Sequence, residues 1–167
     1  MQTVLKAKHI PEKSIISKNF GKIDYQDTYQ ISKKTDATID RITAELFKGP
    51  KWADNLMKLR DSIVRIFGLK TGKKKDTSTE EYFSIGSKLE YFTVADRNAN
   101  EIVMAENDKH LNFRTSVMID KKEAGTTIYL STIVTFNNIF GRLYFIPVKP
   151  FHRLIIKSIL RQFANEE

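Results

Sequence analysis

The stretch from Ile102 to Phe136 constrains this chain most: apolar and polar residues alternate there through three segments separated by turn formers. Period-two alternation sends successive side chains to opposite faces of a strand. Asp108-Lys109, and Asp120 to Thr126 with Gly125 inside it, read as the connections. A two-residue turn at Asp108-Lys109 pairs Asn107 with His110 and sets Glu106 opposite Leu111, Met104 opposite Phe113 and Ile102 opposite Thr115. In the next hairpin, Ile119 opposite Ile128 brings Val117 beside Leu130, Thr115 beside Thr132, Phe113 beside Val134 and Leu111 beside Phe136. One face then holds Ile102, Met104, Leu111, Phe113, Val117, Ile119, Ile128, Leu130, Val134 and Phe136. A slip of one residue would mix the faces. The result is an antiparallel sheet with one apolar face, and such a face needs a cover.

The flanking segments supply elements around this meander. Met1 to about Lys22 is basic, contains Pro11 and has no clean period, so it reads as an amino-terminal arm, with the domain proper spanning residues 23–167. Ile23 to Ile31 alternates as a strand, with Ile23, Tyr25, Tyr29 and Ile31 on one side and Asp27 interrupting that side. Asp36 is expected to cap a helix carrying Ile39, Ile42, Leu46 and Phe47 and ending at Gly49-Pro50. A second helix with Trp52, Leu56, Leu59, Ile63 and Phe67 in one stripe stops at Gly68. Lys70 to Glu81 is a polar loop. Phe83 to Val94 is strand-like and is followed by turn formers from Asp96 to Asn100. Pro147 and Pro150 are expected to open a long last helix reaching about Phe163, with Phe151, Leu154, Ile155, Ile159 and Phe163 inward.

Strand, two short helices, antiparallel meander and long final helix is the order of an α+β helix-grip fold, a curved antiparallel sheet wrapped around its carboxy-terminal helix. Three segments carry a family likeness: Phe92-Thr-Val-Ala-Asp-Arg-Asn98, Glu106-Asn-Asp-Lys-His-Leu-Asn-Phe-Arg114 and the run from Val134 to His152. In these the chain resembles the START-like superfamily of lipid-transfer domains, pollen-allergen proteins and polyketide cyclases. More narrowly, it resembles a bacterial family of uncharacterised proteins within that superfamily. The likeness spans about Tyr25 to Gln162. It implies a cavity for a small apolar or lipid-like ligand between sheet and last helix, and no particular reaction.

Composition narrows the function classes. The chain has 167 residues and no cysteine, so disulfide frameworks, thiolate nucleophiles and thiolate metal sites are excluded. No apolar run approaches the roughly 18 residues of a membrane span, and no signal peptide is evident at the start, so a cytoplasmic location is expected. The net charge is +8, but the basic residues are dispersed. Lys149, Arg153, Lys157 and Arg161 recur every four residues as a solvated helical face would. Nucleic acid is therefore the disfavoured partner. The segment Gly68 to Lys75 has its glycines too close together for a phosphate loop and lacks the preceding strand. His9, His110 and His152 are far apart without metal spacing and read as structural; no metal, cofactor or catalytic residue is assigned.

Ligand contacts are expected from the inward polar exceptions and their neighbours: Tyr25, Tyr29, Met104, Glu106, Phe113, Thr115, Thr132 and Ile155, with Asp27 a further polar position on the first strand. A buried Glu106 would have to neutralise, pair with a cation such as Arg97, or sit at a wet rim. Two alternatives stay open: a cyclase- or hydrolase-type enzyme using Glu106 as acid or base, and a basic module for nucleic acid or acidic partners.

Overall fold

The computed structural model describes residues 3–48, 58, 65, 82–89 and 92–165. Strand β1 (Leu5–Lys6) and β2 (Tyr25–Lys33) precede helix α1 (Ile39–Lys48). Then come β3 (Lys88–Leu89), β4 (Phe92–Asn98), β5 (Glu101–Asn107), β6 (Leu111–Lys122), β7 (Gly125–Phe136) and helix α2 (Ile139–Asn165). The strands form one antiparallel sheet in the order β1-β2-β7-β6-β5-β4-β3. With the long last helix against it, the architecture is α+β of the helix-grip kind. The two-residue edges β1 and β3 offer little backbone for another chain to pair with.

The β6–β7 register is the one the alternation dictates, with Ile119 opposite Ile128, Thr115 opposite Thr132 and Leu111 opposite Phe136. The β5–β6 register is shifted by two residues from the expected one. Asp108 donates its amide to the Leu111 carbonyl across a wider connection, so Glu106 faces Phe113, Met104 faces Thr115 and Ile102 faces Val117. A shift of two preserves the inward face, which is why the apolar pattern could not tell the two registers apart. A bulge at Ala95 lets Val94 and Arg97 share the side of their partners Met104 and Ile102.

The inward face is covered jointly. Helix α1 packs on β5 and β6, while α2 packs on β2, β7 and α1. The core runs from Tyr29, Ile102, Met104, Val117 and Leu130 on the sheet to Ile42 and Leu46 on α1 and Ile156, Leu160 and Phe163 on α2. The α1 cap is Thr38, whose hydroxyl accepts the Arg41 amide, rather than Asp36. Thr38 sits one residue before the first helical residue, where a cap has to be. The expected second helix and the Lys70–Glu81 loop lie almost entirely outside the described residues.

The amino-terminal arm covers the opposite face. Ile16 is buried with Val103 and Ile133. Glu101 accepts the Ser14 hydroxyl at 2.6 Å and the Ile15 amide at 2.7 Å, and Arg114 donates to the Ile16 and Lys18 carbonyls.

Helix α2 departs from expectation in its start and its phase. It begins at Ile139, eight residues before Pro147, and runs through both prolines. Asn138 is the cap, its side-chain oxygen accepting the Gly141 amide at 3.2 Å. Gly141 lies against the β5–β6 connection, and a Cβ there would overlap the His110 carbonyl oxygen. The buried positions are Gly141, Tyr144, Ile156, Leu160 and Phe163. Phe151 and Leu154, expected inward, are exposed, and Ile155 is half-buried.

Candidate functional site

The inward sheet face is mostly apolar, and one row across it turns polar toward β2. Val94, Met104, Thr115, Thr132 and Asp27 are successive cross-strand partners from β4 to β2, and the last three are polar and buried. This polar end runs from β6 across β7 to β2, and α2 packs on the last two. There Asp27 meets the helix: His152 Nε2 is 3.4 Å from each carboxylate oxygen. The Tyr25 hydroxyl, two residues away on the same side of β2, donates to Asp27 at 2.5 Å. Arg153 Nε donates in turn to the Tyr25 hydroxyl at 3.4 Å.

Burial of Asp27 by itself raises its carboxyl pKa. The hydrogen bond and charge of His152, the Tyr25 hydroxyl and the Arg153 charge outweigh that, and hold the group below the usual carboxylate range. Tyr25 is pushed the other way, by burial and by its bond to Asp27. The Tyr25 phenol is therefore held as a donor beside a fixed anion. Next to them the Thr132 hydroxyl is buried with no hydrogen-bond partner among the described residues, whereas Thr115 donates to the Ser131 carbonyl. An unpaired buried hydroxyl costs on the order of 1–3 kcal/mol.

The eight expected contact residues divide across the sheet. Tyr25, Tyr29 and Thr132 lie on β2 and β7 under α2. Tyr29 is a core aromatic with the Lys157 ammonium over its ring. Ile155 lies on α2 itself. Met104, Thr115, Phe113 and Glu106 lie on β5 and β6. Met104 is fully buried in the core, and Phe113 packs edge-on against Phe92. Glu106 is half-buried at the end of β5. It shares a cross-strand row with Tyr25, through Phe113 and Val134, so three strand spacings, roughly 14 Å, separate the two. Arg97, considered as its cation, is committed elsewhere. It forms a bidentate pair with Asp40 at 2.7 and 3.0 Å and donates to the Phe83 carbonyl.

Sequence reasoning missed His152 and Arg153 as members of this cluster. The signal was present in Asp27, a carboxylate in the middle of an apolar strand face, which calls for a cation from whatever covers it. Starting the helix at Pro147 places His152 in its first turn, whereas in the helix from Ile139 it lies mid-helix over Asp27.

Residues 19–159 match a family model described as a protein of unknown function, DUF2867. The chain belongs to that family. Its matched segment contains β2, α1, β4 to β7 and α2 as far as Ile159, hence every member of the Asp27 cluster. Among solved structures, the crystal structure of CalU16 from Micromonospora echinospora is similar over 99% of this chain and 86% of its own, at 9% identity and a TM-score of 0.35. No curated protein matches the chain.

Proposed function

We propose that this member of the family is a START-like binding protein, cytoplasmic in location, that holds a small apolar ligand between the inward sheet face and α2. The ligand's polar end lies at Asp27, Tyr25, Thr132, His152 and Arg153. The observation that carries this reading is the buried polar row Thr115–Thr132–Asp27 on a mostly apolar face, with the Thr132 hydroxyl unpartnered among the described residues. Ligand sites combine mostly apolar walls with a few placed polar groups, and a ligand hydroxyl could accept from Thr132 and donate to Asp27. The order of elements and the likeness in the three quoted segments support the same reading.

Displacement of a fluorescent apolar probe by fatty acids and fatty alcohols, with native mass spectrometry of the purified protein, tests it. Saturable binding weakened about tenfold by Thr132→Val, the loss of one hydrogen bond to a polar ligand group, is expected. Absence of saturable binding, or binding indifferent to Thr132→Val and Asp27→Asn, overturns it. An acid–base enzyme is the second reading. The Asp27–His152 contact favours it by pairing a buried carboxylate with a half-buried imidazole.

A further inference from the structure

We propose that the outward face of α2 docks on an anionic lipid surface. Along this helix Ile139, Phe140, Leu143, Ile146, Phe151 and Leu154 are all exposed, Ile139 at 60% and Ile146 at 68%. Spacings of three, four, seven and eight residues put Ile139, Leu143, Ile146 and Leu154 on one side, with Phe140 and Phe151 along its edge, opposite the buried Gly141, Ile156 and Phe163. The first two thirds of α2 are thus apolar on both sides, and its outward side presents a continuous greasy stripe, which soluble surfaces rarely carry without a use.

Charge indicates what covers the stripe. Residues 139–165 contain Arg142, Lys149, Arg153, Lys157 and Arg161 and no aspartate or glutamate. Arg142 lies over the Phe136 ring, Lys149 over Tyr25 and Lys157 over Tyr29, while Arg153 reaches the Tyr25 hydroxyl. These cations therefore line the β2–β7 flank of the stripe. Asp24, 3.8 Å from Arg142, and the buried Asp27, 3.4 Å from His152, are acids paired to the helix along this flank. A helix with large apolar side chains outward and cations beside them lies in a bilayer interface, its apolar side among the acyl chains and its cations at anionic headgroups. A second copy is a poor occupant. Two-fold pairing would set five cations against the same five, with no acid on either helix to relieve them. The solvated-face reading of the lysine and arginine spacing accounts for the cations but not for the apolar stripe beside them. This docking does not depend on whether the domain also holds a ligand.

Flotation of the full chain with phosphatidylcholine vesicles, with and without phosphatidylglycerol, tests the proposal. The expected result is binding to the anionic vesicles that weakens as salt is raised. Arg161→Gln should weaken it roughly fivefold, as for one charge near the surface. Leu143→Ser with Ile146→Ser should weaken it more than tenfold. All three positions are exposed, so unchanged circular dichroism and thermal unfolding separate lost docking from lost folding. Three results overturn the proposal: no binding to anionic vesicles, full binding by the Leu143→Ser/Ile146→Ser variant, or self-association in light scattering that this variant abolishes. The last would give the face to a second copy.

Discussion

Asp27 on β2 and His152 on α2 approach to 3.4 Å across 125 residues of sequence, and this contact ties the first long strand to the helix that covers it. The Asp27 side chain is 1% exposed, so its partners decide whether it is tolerated. Tyr25→Phe and His152→Ala should each lower unfolding stability by about 1–3 kcal/mol in a denaturant titration, because each leaves Asp27 short of a donor. Asp27→Leu should cost less than either, since an apolar replacement removes the demand itself. If Asp27→Leu proves the most damaging of the three, the cluster holds the fold together in a way these contacts do not explain.

Acid should weaken the protein through two carboxylates. Burial raises Asp27 and Asp40, but the His152 bond for the first and the Arg97 bond for the second prevail, and both end below the usual range. A group whose folded pKa is depressed stabilises the fold above its unfolded value, about 3.9 for aspartate, and loses that contribution as pH falls through the folded value. Urea midpoints should therefore hold steady near neutrality and drop below about pH 4. Asp40→Asn should start lower and show a flatter acid limb.

The Asp40–Arg97 pair joins α1 to β4, with side chains 8% and 10% exposed. Asp40 also accepts the Phe83 amide, and Arg97 stacks on the Tyr82 ring. Removing one partner of a buried pair typically costs about 3–5 kcal/mol, so Arg97→Met should fall near that range. Arg97→Lys should recover only part, because an ammonium cannot reproduce the two parallel bonds of the guanidinium. Chemical denaturation of the two variants beside Arg97→Met/Asp40→Leu would check this, and the double change should be milder than Arg97→Met alone.

Gly141 sets how closely α2 approaches the β5–β6 connection. Gly141→Ala should destabilise by about 1–3 kcal/mol, because the His110 carbonyl must move to admit the methyl group. Asn138→Ala, which removes the cap and the bond to the Lys109 carbonyl, should cost about 1 kcal/mol. Thermal unfolding of the two variants compares steric overlap with lost capping directly.

The sheet was legible because its alternation has only two phases, and a wrong one would expose Ile102, Val117 and Leu130 together. The Asp108–Leu111 turn was not, since a two-residue shift leaves every side chain on its proper face. Helix α2 misled for a different reason. With Ile139, Leu143 and Leu154 outward and Tyr144, Ile156 and Leu160 inward, hydrophobic periodicity has no single maximum to follow. Its prolines are ordinary start signals that here sit inside the helix, leaving the Leu143 and Ile146 carbonyls without the amide four residues on. Tyr25, Tyr29 and Thr132 were placed correctly on the inward face because they followed from the strand pattern. His152 depends on where the helix begins: counted from Pro147 it is a first-turn residue, counted from Ile139 it lies mid-helix against Asp27.

The sheet order sets β2 between β1 and β7, with Tyr25 opposite Val134 and Lys33 opposite Thr126. During synthesis the first long strand therefore emerges about a hundred residues ahead of β7, the neighbour that pairs along its whole length. Its unpaired backbone, and the arm that later fastens to Glu101 and Arg114, must wait while the β5–β6–β7 meander assembles from local turns. Closure of so long a loop makes folding slow for a chain of this size. The nascent polypeptide is then most vulnerable to mispairing along β2, and stays so until β7 leaves the ribosome.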